Sequence, residues 1–259
     1  MEFKIDKDIF LKSLQKVQGI VEKNISRPIL SNVLLEATNS SLLVTVTDLE
    51  VGMKSIYPAV IVQPGKIAIR AKTLYEIVKE LPNQVITFST KANNWAEIKC
   101  GKVHFNIVGF SSDEYPYFPE VTENSLFEID SSLIKGMIEQ TSYAISNDDT
   151  KHNLNGVFTK VELSEDGSHV LTMVATDGYR LSKAYGEFKG NVSMELLKGV
   201  ILPKKGIFEL KKMTDEDSRT LSFGFMDNNA VVKRGDSYIV MRLVDNEYPD
   251  YNKGYPDFK

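Results

Sequence analysis

The sequence predicts an α+β protein made of two tandem, homologous domains. Three observations carry that prediction. A set of landmarks recurs in the same order in the two halves of the chain. Stretches of strict apolar–polar alternation dominate each half, and each half holds only two stretches with helical periodicity.

The duplication can be followed element by element. Phe3-Lys-Ile-Asp6 opens the chain, and Phe127-Glu-Ile-Asp130 returns 124 residues on. An amphipathic helix is expected after each, with Phe10, Leu14, Val17 and Val21 as the apolar stripe of the first and Ile134, Met137, Ile138 and Thr141 as that of the second. A strand beginning at asparagine comes next, Asn32-Val-Leu-Leu-Glu in one copy and Asn155-Gly-Val-Phe-Thr in the other, 123 residues apart. Alternating runs then end in Thr47-Asp48 and Thr176-Asp177, 129 apart. A second, lysine-bearing helix is expected over Leu74, Ile77, Val78 and Leu81, and again over Ile207, Leu210 and Met213. Glu114-Tyr-Pro116 and Glu247-Tyr-Pro249 lie 133 apart, and each copy is expected to hold strands, a helix, strands, a second helix and a final hairpin. Four ordered landmarks whose offsets stay between 123 and 133 point to gene duplication. The period far exceeds the roughly 20–50 residues of solenoid repeats, so each copy is expected to be a domain in its own right.

Turn signals at Pro64-Gly65, Asp166-Gly167, Asp227-Asn-Asn229 and Gly235-Asp236 separate the strands, and Asn147–Thr150 and Thr214–Ser218 read as charged loops. The expected domains are 1–122 and 126–252, with the boundary near Thr122–Ser125 and a connector at 253–259.

Composition narrows the class. Of 259 residues, 42% are hydrophobic and 25% charged, which suits a globular chain with one large or two modest cores. The one cysteine, Cys100, cannot form an internal disulfide. The first residues lack the cationic and apolar segments of a secretory signal, and no run reaches the roughly 18 apolar residues of a membrane span. A soluble, cytoplasmic protein is expected. The net charge of −4 argues against nucleic-acid binding only if the charge is evenly spread.

It is not evenly spread. Lys12, Lys16 and Lys23 fall within about 40 degrees of one another on a helix, opposite the apolar stripe. Lys72 and Lys79 repeat the heptad spacing on the second helix, as do Lys204 with Lys211 and Lys205 with Lys212 in the second copy; Glu76, Glu80 and Glu209 dilute the pattern. Taken singly, each helix could present no more than a solvated face. Recurrence on three of four helices, with no helix-turn-helix, zinc-finger or RNA-binding motif, points to sequence-independent contact with phosphates. Such contacts are salt-sensitive and suit sliding.

Arg27-Pro-Ile-Leu-Ser-Asn32, Thr47-Asp-Leu-Glu50, Asn155-Gly156, Ala175-Thr-Asp-Gly-Tyr-Arg-Leu181 and Glu247-Tyr-Pro-Asp-Tyr251 together make the chain resemble the bacterial DNA polymerase III beta subunit, the sliding clamp family. The match runs the length of the chain. It implies a DNA-clamp fold, a non-catalytic processivity factor for replication, and three similar domains per chain with two chains closing head to tail around duplex DNA. The chain stops at Lys259, shortly after the second Glu-Tyr-Pro, so the expectation is that it carries the first two of those domains.

The resemblance also implies sites. The partner-peptide pocket, which receives short motifs from the polymerase, the clamp loader and repair proteins, would include Leu154, Thr176, Gly178, Tyr179, Arg180, Leu181, Pro249, Lys253 and Gly254. Leu154, Leu181 and Pro249 would give an apolar slot, with Arg180 and the Gly178 backbone orienting a peptide. Lys253-Gly254 stands where many members have arginine and an apolar residue. For DNA, the resemblance points to Lys23, Asn24, Lys72, Lys151 and His152, to which the lysine spacing adds Lys12, Lys16, Lys79, Lys204 and Lys205. His152 and Asn153 replace the aromatic residues common in that loop of the family.

Enzyme readings find little support. His104, His152 and His169 do not fall at metal-ligand spacing with one another or with Cys100, and no phosphate-binding glycine loop or nucleophile elbow is present. Asp148/Asp149 and Asp113/Glu114 are adjacent acids in polar loops, the usual place for solvated charge. No cofactor is expected. The alternatives are a two-domain clamp that closes as a trimer and, in a different class, a metal-dependent nuclease or nucleotidyltransferase.

Overall fold

The computed structural model describes residues 1–21, 27–122, 126–165, 168–189, 192–215 and 220–254. It contains two compact units, one holding Met1–Pro119 and Asp236–Tyr238 and the other Glu120–Gly235 and Ile239–Lys259.

The first unit runs β1 (Glu2–Asp6), α1 (Lys7–Val17), β2 (Asn32–Thr38), β3 (Ser41–Thr47), β4 (Val51–Pro58), β5 (Val60–Gln63), β6 (Gly65–Arg70), α2 (Ala71–Glu80), β7 (Val85–Thr90), β8 (Trp95–Cys100) and β9 (Val103–Phe110). All pairings are antiparallel, in the order β4-β3-β2-β6-β9-β8-β7-β1-β5. The join between β6 and β9 is confined to Ala68↔Phe110 and Ile69↔Gly109. Gly109 permits it, because a Cβ there would lie 2.7 Å from the Ala68 carbonyl oxygen.

The second unit runs β10 (Phe127–Asp130), α3 (Ser131–Thr141), β11 (Gly156–Leu163), β12 (His169–Thr176), β13 (Leu181–Phe188), α4 (Met194–Lys198), β14 (Val200–Pro203), α5 (Lys204–Thr214), β15 (Thr220–Met226), β16 (Asn229–Arg234) and β17 (Ser237–Arg242). Its strands form the orders β13-β12-β11-β14 and β10-β15-β16-β17. In each unit the two long helices pack on one another, α1 on α2 and α3 on α5.

The repeated opening motif shows why the two units start alike. In Phe3-Lys-Ile-Asp6, strand alternation buries Phe3 and Ile5 and leaves Lys4 and Asp6 out. Asp6 then caps α1, its carboxylate accepting from the Asp8 amide at 2.9 Å. Asp130 caps α3 in the same way, accepting from the Ser132 and Leu133 amides at 2.7 and 3.2 Å. Each capping aspartate satisfies amides that a helix start leaves without partners. The buried phenylalanines pair across strands: Phe3 stacks on Phe88 at 5.0 Å, and Phe127 meets Phe223 at 5.8 Å. Burying each ring is worth about 1.5–3 kcal/mol.

The expected stripes are inside: Phe10, Leu14 and Val17; Leu74 and Val78; Ile134, Met137, Ile138 and Thr141; Ile207, Leu210 and Met213. Val21 and Ile77 are half-buried. Several expectations need correction. Helix α1 ends at Val17, so it does not reach Lys23. The strand register pairs Leu34 with Thr45 and Phe158 with Val174, which aligns Asn32 with Gly156 and makes the offset 124 rather than 123. Helix α5 continues through Thr214, so the charged loop starts at Asp215. A short helix, α4, stands in the second unit where the first has β5; five residues are too few to show a 3.6-residue period. Asp166-Gly167, Glu123–Ser125 and most of Thr214–Ser218 lie outside the described residues.

Candidate functional site

Two groups of expected site residues can be placed. The first is the lysine set on the helices. Lys12, Lys72 and Lys79 are exposed and Lys16 is half-exposed, on faces turned away from Phe10, Leu14, Leu74 and Val78. Lys72 lies 3.7 Å from Glu76, an exposed pair of little energetic weight. Lys23 and Asn24 lie outside the described residues. In the second unit the lysines are more heavily engaged. Lys204 donates to Asn147 Oδ1 at 2.5 Å and the Ser146 carbonyl at 3.4 Å. Lys211 meets Glu139 at 3.5 Å, and Lys212 meets the buried Glu209 at 2.6 Å. Lys205 is half-buried and has a partner of its own.

The second group surrounds the turn between β12 and β13. Thr176 Oγ1 accepts from the Gly178 amide at 3.1 Å and donates to the Arg180 carbonyl at 2.6 Å. Asp177 Oδ1 accepts from the amides of Tyr179 and Arg180, both at 3.0 Å, and its other oxygen receives Arg180 Nε at 3.0 Å. Those two amides, with the guanidinium, hold the Asp177 carboxyl below its ordinary range. Gly178 sits at φ +93°, which explains the glycine. The result is a stiff turn that lifts Tyr179 almost fully into solvent, 93% exposed.

Three other segments converge on this turn. Lys151 Nζ reaches the Asp177 carbonyl at 3.4 Å and lies 5.4 Å over the Tyr179 ring. Asn153 donates to the Glu247 carbonyl at 3.4 Å, and Tyr143 lies 5.6 Å under Arg180. Tyr248 stacks on Phe158 at 5.1 Å, while Lys183 lies 5.4 Å over Tyr251. Burial pushes the Tyr248 hydroxyl well above its ordinary range, partly offset by the backbone of Thr176. Around the turn, Leu154 is buried at the end of a 3-10 turn over 152–154, Leu181 is half-buried, and Arg180, Pro249 and Lys253 are exposed. Lys253 lies 3.4 Å from Asp250, in the 3-10 turn that Gly254 completes. His152, expected to face DNA, is exposed in the 152–154 turn beside Lys151. Sequence reasoning did not nominate Tyr143, Phe158, Lys183 and Tyr251 as site residues, although Phe158 and Tyr251 lie within the Asn155-Gly-Val-Phe-Thr and Glu247-Tyr-Pro-Asp-Tyr251 landmarks.

The candidate acids have local duties. Asp148 Oδ1 accepts from the Thr150 amide and hydroxyl at 3.1 and 2.6 Å, and Asp149 accepts from Asn155 at 3.4 Å. Ser111 Oγ accepts from the Asp113 amide at 3.3 Å to start a turn. Among the described residues no three His, Cys, Asp or Glu side chains converge as metal ligands, and no helix is long and apolar enough to cross a membrane.

Duplicated α+β units, helix pairs carrying outward lysines and a loop site built on the Thr176–Leu181 turn make up a tandem-domain scaffold. Comparison with known proteins gives the family. Residues 1–119 match the model of the DNA polymerase III beta subunit N-terminal domain, and residues 128–250 match that of its central domain. The beta sliding clamp of Bacillus subtilis is 31% identical over 96% of this chain and 66% of its own length; that of Pseudomonas aeruginosa is 30% identical over 99% and 68%. Among solved structures, the sliding clamp of Caulobacter crescentus superposes with TM-score 0.89 at 30% identity, over 100% of this chain and 69% of that one. A sliding clamp from Bartonella birtlesii bound to griselimycin gives 0.91 at 30% identity, over 100% and 68%. The chain belongs to the bacterial DNA polymerase III beta subunit family and has the α+β sliding-clamp fold. It spans about two thirds of the length of these relatives.

Proposed function

We propose that the chain serves as part of a sliding clamp, a non-catalytic processivity factor of the replicative polymerase in the bacterial cytoplasm. In this reading the α1 and α2 lysines Lys12, Lys16, Lys72 and Lys79 meet DNA phosphates without reading sequence. Lys23, Asn24, Lys151, His152, Lys204 and Lys205 supplement them. The turn site of Leu154, Thr176, Gly178, Tyr179, Arg180, Leu181, Pro249, Lys253 and Gly254 takes short peptides from the polymerase, clamp loader and repair proteins.

The observation that supports this best is the duplicated domain with lysines on the solvent side of its helices. Many weak phosphate contacts spread over helix faces release counterions without fixing register, which lets a protein move along a duplex. The rigid turn beside an apolar floor suits an extended peptide, since a pre-formed site spends little binding energy on ordering itself.

The test is topological. The chain, and the chain joined to a third clamp domain, are loaded on nicked circular and on linear duplex DNA. Retention of the extended protein on circles and its loss from linear ends is the expected result. Failure of both proteins to be held on circles more than on linear DNA rules the reading out. Trapping of the chain alone on circles, as a trimer by light scattering, would replace the dimeric ring with a two-domain one.

A further inference from the structure

The two units carry the same turn. Thr47 Oγ1 accepts from the Leu49 amide at 3.0 Å, and Asp48 Oδ1 accepts from the amides of Glu50 and Val51 at 2.9 and 2.6 Å. Each of these three bonds has its counterpart at Thr176 and Asp177. Strand register fixes the rest of the correspondence. Thr47 pairs with Gly52 and Thr176 with Leu181, so Gly52 and Leu181 are equivalent. Leu34 and Phe158 are equivalent, as are Lys54 and Lys183. Tyr115 to Phe118 matches Tyr248 to Tyr251, and Lys54 lies over Phe118 at 6.0 Å as Lys183 lies over Tyr251.

The two sites nevertheless differ in who occupies them. In the first unit the Tyr115 hydroxyl donates to the carbonyls of Asn32 and Thr45 at 3.1 and 3.3 Å, and Tyr115 is buried. The Phe118 ring presses onto Gly52 so closely that a Cβ there would stand 2.9 Å from it. In the second unit Leu181 supplies that Cβ and more, so a ring cannot settle where Phe118 does. Phe158, in place of Leu34, stacks under Tyr248 and meets Tyr251 at 5.9 Å.

We infer that the first unit holds a second copy of the turn site, kept permanently filled by its own segment Tyr115-Pro-Tyr-Phe118, and that Gly52 is what admits the plug. Leu181 and Phe158 act as props that hold the corresponding segment off in the second unit. One chain therefore offers one open site rather than two. The inference rests on the peptide-binding reading of the second unit, and the experiment separates the two.

The probe is the acetylated, amidated peptide Glu-Tyr-Pro-Tyr-Phe-Pro, a copy of residues 114–119, titrated by calorimetry. F118A empties the plug; G52A keeps it but adds the methyl that forces the ring away, a smaller perturbation of the fold. Thermal melts confirm that each variant is folded. The expected result is one more equivalent of peptide bound by F118A than by the wild type, with recovery of part of the fall in Tm, and weaker extra binding by G52A. Folded variants that bind no more peptide than the wild type overturn the inference. L181D is the control on the second unit: if it leaves wild-type peptide binding unchanged, the peptide-pocket reading fails there, while the extra equivalent on F118A still decides the plug.

Discussion

Leu49 and Gly178 occupy the same left-handed position in two copies of one turn, at φ +79° and +93°. Glycine takes that conformation without steric cost, whereas a leucine there meets its own carbonyl. A Cβ at Gly178 would approach nothing nearer than Lys151 Nζ at 3.8 Å, so the cost of a side chain at that position is one of backbone alone. G178A is therefore expected to lower stability by about 1–2 kcal/mol. L49G should raise it by about 0.5–1 kcal/mol, the released strain less the entropy of glycine. Denaturant unfolding of both variants checks the pair, and opposite signs are the required outcome.

The caps of α1 and α3 should differ in weight. Asp130 holds two amides and the Ser132 hydroxyl, and Asp6 holds one amide. D130A is expected to cost about 1–2 kcal/mol and D6A about 0.5–1 kcal/mol. Equal losses in urea melts would contradict the bonding described.

Glu97 gives a pH dependence. Lys91 and Lys99, at 2.7 and 2.8 Å, with His104 at 2.7 Å, hold its carboxyl at about 2 against an ordinary 4.5. A depressed carboxylate contributes stability that is present above its unfolded value and is lost as pH falls through its folded one. Stability should fall between pH values of about 5 and 2. E97Q, which cannot titrate, should flatten that limb; an unaltered acid limb in E97Q would sink the assignment.

The helix lysines make a salt-dependence prediction. Removing one lysine–phosphate pairing lowers the slope of log K against log salt by about 0.9. The variant K12A/K16A/K72A/K79A should thus shed about 3–4 units of slope on duplex DNA if all four lysines meet phosphates, equally for any sequence. K211A/K212A should change the slope far less, because Glu139 and Glu209 already engage those lysines. Fluorescence anisotropy at several salt concentrations measures both, and a larger effect from the second variant would exclude α1 and α2 as the main DNA face.

The α+β class, the duplication and most of the element order were legible because they rest on local physics. Alternation marked the strands, and apolar spacing of three and four residues marked α1, α2, α3 and α5. The short α4 escaped because one turn of helix has no period to read. The extension of α1 to Lys23 was over-read because lysine spacing continues past Val17 although the helix does not.

What the sequence determined by itself was therefore the repeated domain, its periodicities, the Thr-Asp turns and a family resemblance strong enough to nominate residues. Only tertiary structure decided which of those residues meet. Lys204 turns to Asn147, Lys212 is drawn to a buried glutamate, and Tyr143, Phe158 and Tyr251 gather around a turn formed by residues far from them in the chain. Likewise Gly52 and Leu181 look unrelated until strand register makes them equivalent, and the contrast between a filled and an open site then follows from one missing side chain. Such differences depend on packing between distant segments, where a single methyl decides whether a ring can settle, and no local pattern encodes that distance.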